Sequence, residues 1–477
     1  MNKIKINFEN NRKDLKGDIL FVSVGPQNRD EVVKENGVKT LYLKSDEKVN
    51  LRKLFLLVRK MIAMAKGVKT EKIAFDFNDF KFPNLKIKDE ELGEIIGSEL
   101  DFANYEFWEY KTPPPEGFSE VKEVIIINTT KKIQNAILKG VVIAEEVNKT
   151  RSLSNTPGGD MTPQILASKA KEAVRGLPVK VTVLGEKEME KQNMRAILSV
   201  GHGSDEESKF IIMEYFGASP ISDRGKKKNK PIVLVGKGVT FDTGGINLKP
   251  SNGLLGMNMD MSGGASVIHT LALVAKMKLK KNVIGLVPSV ENMASGKSYR
   301  PGDVIRSMSG KTIEVLNTDA EGRVILADAL FYSQKYNPEV VIDIATLTGA
   351  AMVALGERAS ALFTTDDNLS KTLEMIGERV DDFVWRMPLW EEYENEIKGS
   401  LGDWTNIHNK DSRYGGAIYA ASFLHQFIKG KDGSEKSPKW AHIDMAPRMV
   451  AMAGENLAEG ALGSPVRLLY KFIEEYN

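Results

Sequence analysis

The chain has 477 residues, which is too long for one ordinary hydrophobic core and predicts two domains. Its composition, 42% hydrophobic and 27% charged, is typical of a soluble globular protein, and a net charge of +2 gives no reason to expect a nucleic-acid or membrane partner. Cysteine is absent, which excludes disulfides, thiolate catalysis and cysteine-ligated metals. With no signal-peptide pattern and no apolar run long enough to span a bilayer, we expect a cytoplasmic protein.

The first part of the chain alternates short apolar strands with helices and predicts a small α/β domain. The predicted strands are 18–25, 39–44, 71–77 and 121–128, and the predicted helices are 51–67 and 88–110. Its acidic residues are scattered, as on a solvated surface, so nothing in this part indicates catalysis. Residues 131–153 predict one long helix, which we expect to join two domains.

The second part resumes the same alternation over a longer stretch. The predicted strands are 210–216, 231–236, 283–290, 340–347 and 441–446, and the predicted helices include 263–278 and 323–335. This pattern predicts an α/β fold of two domains: a smaller N-terminal α/β domain joined by the long helix to a larger α/β domain, whose central mixed sheet is covered by helices. Ligands are expected beyond the ends of its strands.

The segment NTDAEGR, residues 317–323, carries Asp319, Glu321 and Arg323 at the junction between a predicted strand, 312–316, and a predicted helix. If strand geometry continued, Asp319 and Glu321 would project to the same side. Carboxylates this close repel unless a positive charge lies between them. A simpler interpretation stays open, because an acidic residue before a helix often caps it.

Two further segments favour the interpretation as a metal site. VGKGVTFDTGGINLKP carries Lys237, Asp242 and Lys249 among glycines directly after a strand, and GMNMDMSGGASV carries Asp260 among small and apolar residues before a helix. Taken singly, Asp260 could cap that helix and the lysines could lie on the surface. Together with NTDAEGR, however, four carboxylates at strand ends indicate a pair of oxygen-ligated divalent cations.

These three segments closely resemble the signatures of the leucyl (cytosol) aminopeptidases, the M17 family of dinuclear metallopeptidases. Supporting matches are TRSLSNTP, PGDVIRSMSGKTIEVLNTDAEGRVILADAL, ATLTGA, GGAIYAASFL and WAHIDMA. The resemblance covers about residues 150–477, and the preceding part matches the family only in size and α/β character. It implies an N-terminal macro-like domain over 1–130, a linking helix over 131–153 and a catalytic peptidase domain over 154–477.

The resemblance also implies a ligand set for two divalent cations, zinc or manganese, with magnesium or cobalt as alternatives. Asp242 and Glu321 would bridge both cations. Lys237 and Asp260 would complete the tighter site, Lys237 as a neutral amine, and Asp319 would complete the more exchangeable one.

Two cationic residues are implied as catalytic. Lys249 would stabilise the oxyanion, and Arg323 would hold a bicarbonate ion that moves the proton, since no histidine or spare carboxylate is evident as a general base. The resemblance further implies a pocket for the first side chain of the substrate, lined by Met257, Thr346, Gly349, Ala446 and Met449.

The implied function is release of N-terminal amino acids, preferably leucine or other medium apolar residues, from peptides with a free N-terminus. The attacking water would be activated by two metal ions, and the implied assembly is a homohexamer of two stacked trimers. Two alternatives stay open: a two-metal phosphoesterase, and a non-enzymatic DNA-binding or regulatory role. Neither accounts for the full set of motifs, and the near-neutral charge disfavours DNA binding.

Overall fold

In the computed structural model, the chain divides into two compact units, Met1–Asn148 with Ala451–Gly460, and Lys149–Val450 with Ala461–Asn477. The structure describes residues 3–15, 17–35, 37–46, 48–217, 230–410, 414–429 and 437–476. The first unit includes most of the stretch 131–153, for which the sequence predicts a linking helix, and it also includes a stretch near the C-terminus, Ala451–Gly460. That stretch belongs with the first unit because Leu457 packs against the apolar core of that unit.

The first unit contains a six-stranded sheet in the order β1-β6-β5-β2-β4-β3. All neighbouring pairs are parallel except β3 with β4. Its strands are β1 Lys5–Glu9, β2 Leu20–Gly25, β3 Glu31–Glu35, β4 Val38–Lys44, β5 Lys72–Asp76 and β6 Glu123–Ile127, and its helices are α1 Leu51–Gly67, α2 Asp89–Asn104 and most of α3 Lys131–Asn155.

Helix α1 shows how this unit forms from its sequence. The Asn50 side chain accepts the N–H of Lys53 and caps the helix start. Leu54, Val58 and Met61 recur at helical spacing on one face, and all three are buried in the core of the unit. The α/β character predicted for this part of the chain follows from such faces packing on the sheet.

The second unit is larger. Its strands are β7 Val179–Leu184, β8 Lys209–Phe216, β9 Ile232–Gly236, β10 Gly238–Asp242, β11 Asn282–Asn292, β12 Val304–Arg306, β13 Thr312–Glu314, β14 Val340–Ala345, β15 Ser360–Phe363, β16 Val384–Arg386, β17 Trp404–Thr405 and β18 Lys439–Asp444. Its helices are α4 Pro163–Ala173, α5 Glu186–Lys191, α6 Arg195–Gly201, α7 Ser251–Leu254, α8 Ser262–Lys276, α9 Glu321–Ser333, α10 Gly349–Leu355, α11 Asp367–Val380, α12 Glu392–Asn395, α13 Gly416–Ile428 and α14 Val466–Glu475.

The central sheet of the second unit has nine strands in the order β16-β15-β18-β14-β9-β11-β8-β7, with β10 paired to β11 beside this path. Strands β18, β14, β9 and β11 run parallel, whereas β8, β7 and β15 pair antiparallel with their inner neighbours. The predicted α/β class with a central mixed sheet is confirmed. A small third sheet joins β12, β13 and β17.

The centre of this sheet is covered by helices. Every residue of β9 and β14 is buried, as expected for parallel strands with helices on their faces. Helices α8 and α9 both pack against β9 and β11 and are buried along most of their length. Because the parallel strands end at the same edge, the segments that follow them meet there. No helix in the described ranges combines the length and the apolar character that crossing a membrane requires.

Candidate metal centre

The predicted ligands come from the ends of neighbouring strands in the second unit. Lys237 directly follows β9, and Asp242 is the last residue of β10. Strand β10 pairs with β11 in parallel, with an irregularity in register between Val239 and Phe241. Such a bulge re-aims the side chains that follow it, and here it places Asp242 opposite Asn292.

The other ligands lie at helix starts. Asp260 sits in a short 3-10 helix, Met257–Met261, just before α8. Asp319 lies in the turn after β13, and Glu321 is the first residue of α9. Strand β13 ends at Glu314, so strand geometry does not continue through Asp319 and Glu321; a turn and a helix start bring the two carboxylates together instead.

Lys237 lies between two of these carboxylates. Its Nζ is 2.7 Å from Asp260 Oδ2 and 2.8 Å from Glu321 Oε1, and it donates to the carbonyl of Thr346 at 3.0 Å. Only 3% of its side chain is exposed, so the interpretation as a surface lysine fails. Its aliphatic stem passes over Gly322, where an added Cβ would lie 2.6 Å from Lys237 Cε. A larger residue directly after Glu321 would therefore displace the Lys237 side chain.

Lys249 lies between the other two carboxylates. Its Nζ is 2.9 Å from Asp242 Oδ2 and 2.5 Å from Asp319 Oδ1, and its side chain is 17% exposed. Asp319 is the most open member of the group, with 33% of its side chain exposed. Lys237 thus contacts the buried carboxylates of the site, and Lys249 contacts the pair that includes the more exposed Asp319, at the mouth of the site.

The interpretation of the acidic residues as helix caps also fails. The N-cap of α8 is Met261 and that of α9 is Ala320, and neither helix start has a side-chain capping hydrogen bond. Asp260 Oδ1 accepts the hydroxyl of Thr346 at 2.7 Å instead. These carboxylates face one another and the lysines.

The electrostatics favour additional positive charge. Burial, followed by the charge of Asp242, raises the pKa of Glu321 to about 8. Burial likewise raises the pKa of Asp260 to about 6 and raises that of Asp319. For Lys237, burial lowers the pKa, but the carboxylates of Asp260 and Glu321 outweigh it and the pKa is raised above its usual value. Four buried or half-buried carboxylates are thus held together against their own repulsion.

The oxygen atoms are arranged as cation ligands would be. Asp242, Asp319 and Glu321 each offer an oxygen within 4.8 Å of the others. Asp260 Oδ2 and Asp319 Oδ1 are buried, and among the residues that the structure describes neither accepts a properly directed hydrogen bond, although each has a lysine ammonium nearby. Hard oxygen donors with free lone pairs suit divalent cations, so the residues present fit such ions.

Arg323 lies next to this group on the first turn of α9. Its Nη1 donates to the carbonyl of Asn406 at 2.9 Å, and its buried Nε has no hydrogen-bond acceptor among the described residues. Burial lowers the pKa of Arg323 to about 10, which still leaves the guanidinium charged at neutral pH. The unused donor suits a small anion.

The predicted pocket residues lie on three segments beside the ligands. Met257 begins the short helix that carries Asp260, and Thr346 hydrogen-bonds to that carboxylate. Gly349 begins α10, which packs against the 3-10 helix Ala446–Arg448, and Met449 directly follows that helix. Thr346 and Ala446 are buried, Met257 and Met449 are half-buried, and Gly349 is exposed.

Sequence reasoning missed the polar residues that hold the ligand segments. Thr318 and Asn247 bind each other through two hydrogen bonds to backbone N–H groups, at 2.8 and 2.9 Å. Asp444 accepts the hydroxyl of Thr348 at 2.6 Å and so fixes the loop after β14. Asn292 and Asp444 each end a strand of the central sheet, and that position is the signal that could have found them.

Comparison with known proteins identifies the family. The model of the "Cytosol aminopeptidase family, catalytic domain" matches residues 148–470. The probable cytosol aminopeptidase of Rickettsia massiliae (strain Mtu5) is 42% identical over 459 residues, which cover 94% of this chain and 87% of that relative. That of Nitrosomonas europaea is 45% identical over 346 residues, 72% of this chain and 66% of that one.

A solved structure of similar fold also matches this chain. The bottromycin maturation enzyme BotP, determined in complex with Mn, matches with a TM-score of 0.83 and 27% sequence identity, covering 96% of this chain and 99% of that chain. The resemblance carried by the three motifs is therefore confirmed: the chain belongs to the cytosol aminopeptidase family of peptidases.

Proposed function

We propose that this protein is an aminopeptidase that uses two divalent cations to release N-terminal residues, preferably leucine or other medium apolar residues, from peptides. The observation that carries the proposal is the convergence of four carboxylates around Lys237 and Lys249, with Arg323 beside them. The solved structure of BotP in complex with Mn, to which this chain is similar, supports the choice of a divalent cation.

The residues that would hold the cations are those that the family resemblance implies. Asp242 and Glu321 would serve both ions. Lys237 and Asp260 would complete the buried site, and the more exposed Asp319 would complete the exchangeable one. When bound, the ions would polarise the scissile carbonyl and make water acidic enough to attack at neutral pH. Zinc and manganese are the first choices, and magnesium and cobalt the alternatives.

Two cations of the protein itself would act on the reacting atoms. Lys249 lies at the mouth of the site, where its ammonium can stabilise negative charge that develops on the carbonyl oxygen of the substrate. Arg323 would hold bicarbonate through its unused Nε, and a bound bicarbonate would supply a group able to accept and return a proton beside the reacting atoms.

The first side chain of the substrate would enter the pocket beside Asp260. Its proposed lining is Met257, Thr346, Gly349, Ala446 and Met449. None of these residues carries a charge. An apolar substrate side chain can therefore be buried there at little cost in free energy, whereas a charged one would lose its hydration without gaining an ion-pair partner. The flexible thioether of Met257 can adapt to guests of different shape.

We further propose a homohexamer of two stacked trimers and a cytoplasmic location. The hexamer rests on the family resemblance, and the location on the name of the relatives. Light scattering would test the assembly: a monomer of 52.8 kDa with full activity would refute it.

The decisive experiment uses metal-stripped protein and a panel of aminoacyl-amides. Exhaustive chelation should abolish leucyl-amide hydrolysis, and zinc, manganese, cobalt or magnesium should restore it to different degrees. Acetylation of the substrate α-amine should stop turnover, and full activity on the acetylated substrate would exclude an aminopeptidase. Turnover of phosphate esters without peptide turnover would favour the phosphoesterase alternative.

A further inference from the structure

Asn292 is hydrogen-bonded to two of the segments that carry candidate ligands, and no predicted role uses it. It ends β11, is 1% exposed, and stands opposite Asp242 in the β10–β11 register. Its Nδ2 donates to Asp242 Oδ1 at 2.8 Å and to the carbonyl of Thr318 at 3.0 Å. Both hydrogens of one amide are therefore used, one on each ligand-bearing segment.

The two hydrogen-bond partners of the Asn292 side chain require an amide at this position. A carboxylate oxygen and a peptide carbonyl only accept hydrogen bonds, so the group between them must donate twice. An aspartate in this place could donate to neither and would repel Asp242. The backbone carbonyl of Asn292 in turn accepts the N–H and the hydroxyl of Thr243, at 2.9 and 2.8 Å. The residue is thus anchored on the segment that it orients.

The amide also decides which oxygen of Asp242 is available. Asp242 Oδ1 accepts Asn292 Nδ2 and the N–H of Gly244, both at 2.8 Å, and these two bonds occupy its two lone pairs. Asp242 Oδ2 remains, and it faces Lys249 at 2.9 Å. The Asp242 carboxylate is thus oriented by two donors, Asn292 Nδ2 and the N–H of Gly244, which bind the oxygen turned away from Lys249.

The second bond ties the loop of Asp319 to the same point. The carbonyl of Thr318 accepts Tyr299 Oη at 2.8 Å as well as Asn292 Nδ2. Thr318 directly precedes Asp319, so a shift of this carbonyl moves the ligand. Asn292 therefore sets the spacing between two ligands that lie 77 residues apart in the chain.

We propose that Asn292 is a positioning residue for the cation site: its amide orients Asp242 and holds the Thr318–Asp319 segment at the distance that binding two divalent cations requires. This inference rests on the proposed function in assuming cations at these ligands, and it goes beyond it in naming a residue that touches neither cation nor substrate. Hydrogen-bond partners behind metal ligands typically change metal affinity by about 10- to 100-fold when removed.

The test measures Mn²⁺ binding by the metal-stripped, full-length protein with isothermal titration calorimetry, which needs no catalysis. Asn292→Ala should bind Mn²⁺ about 10- to 100-fold more weakly than the unaltered protein. The matched control is Asn282→Ala, which removes a buried asparagine from the first position of the same strand, about 33 Å away at 3.3 Å per residue. It should bind Mn²⁺ as the unaltered protein does.

Two more variants keep the test decisive. Asn292→Leu retains the volume of the side chain and replaces Asn292→Ala if the latter does not fold; the same loss of affinity is expected. Tyr299→Phe removes one donor from the Thr318 carbonyl without touching Asp242, and should lose less affinity than either Asn292 variant.

The outcomes separate this inference from the proposed function. The inference would be overturned if the Asn292 variants bound Mn²⁺ as tightly as Asn282→Ala does. It would also be overturned if Tyr299→Phe lost as much Mn²⁺ affinity as the Asn292 variants, because the hydrogen bond to Asp242 would then contribute nothing. If the unaltered protein binds Mn²⁺ but hydrolyses no aminoacyl-amide, the proposed function falls, and the comparison of affinities still decides the role of Asn292.

Discussion

The side-chain amide of Asn406 forms hydrogen bonds with both the N–H and the carbonyl of Asn317. Its Oδ1 accepts the N–H of Asn317 at 3.3 Å, and its Nδ2 donates to the carbonyl of Asn317 at 2.6 Å. The same Oδ1 accepts the N–H of Leu316 at 2.8 Å, and the carbonyl of Asn406 accepts Arg323 Nη1 at 2.9 Å. One fully buried residue thus supports the turn that carries Asp319 and also orients the guanidinium.

Replacement of Asn406 by alanine should therefore destabilise the protein and weaken its activity together. Three part-buried backbone groups, the N–H of Leu316 and both the N–H and the carbonyl of Asn317, would lose their partner. A buried unsatisfied group costs about 1–3 kcal/mol, so for these three together we expect a loss of about 2 kcal/mol in the free energy of unfolding. Urea unfolding measures it. The matched control is Asn409→Ala, an exposed asparagine of the same loop. Equal stability of the two variants would contradict the role given to Asn406.

The two lysines of the site should respond differently to removal. Lys237→Ala should lower the metal content toward one ion per chain, and excess metal should partly restore activity. Lys249→Ala should keep both ions and lose about 10²–10³ in kcat, because only the transition state carries the charge that it stabilises. Lys249→Arg should rescue only in part, since the guanidinium has a different shape.

Mass spectrometry of metal content beside kcat checks this assignment for each variant. A Lys249→Ala protein that loses metal, together with a Lys237→Ala protein that keeps two tightly bound ions, would reverse the roles of the two lysines.

Specificity should follow the uncharged lining of the proposed pocket. We expect kcat/KM to be higher for leucyl- and methionyl-amide than for aspartyl-amide, because no lining residue offers a buried carboxylate a partner. Met257→Ala should lower kcat/KM for leucyl-amide more than for alanyl-amide, since the larger guest loses more contact. Faster cleavage of aspartyl-amide than of leucyl-amide would exclude this pocket.

Asp328 should make stability depend on pH. It is fully buried in α9, and burial raises its pKa from the ordinary 3.8 to about 7, although it accepts N–H groups of Ala196, Ile197 and Met308. Because the folded pKa lies above the unfolded one, its contribution is fully present below about pH 4 and is lost as the pH rises through 7.

Urea unfolding of the unaltered protein and Asp328→Asn at pH 5 and pH 8 tests this sign. The asparagine does not titrate, so the stability gap between the two proteins should narrow as the pH rises, by an amount on the order of a kcal/mol or more. A gap that widens toward pH 8 would show that the three N–H donors hold the carboxylate ionised.

Sequence pattern alone predicted the α/β class because alternating strand and helix periodicity is a local property. The buried strand β9 is a continuous apolar run, β14 is apolar apart from Asp343, and helix α1 carries its apolar face at regular spacing. The candidate ligands were also found from local segments, since Lys237 and Asp242 share one stretch of chain and Asp319 and Glu321 another.

Only the tertiary structure decided how these segments meet. The irregular register of β10 with β11 and the hydrogen bonds of the Asn292 and Asn406 amides all join residues far apart in sequence. A single asparagine gives no periodic signal. Its two donor hydrogens find acceptors only when the carboxylate of Asp242, at the end of β10, and the carbonyl of Thr318, in the turn after β13, come within 3 Å of its amide nitrogen. The sequence thus determined which groups could bind cations, and three-dimensional packing determined their orientation, because hydrogen-bond geometry depends on neighbours that the linear order does not specify.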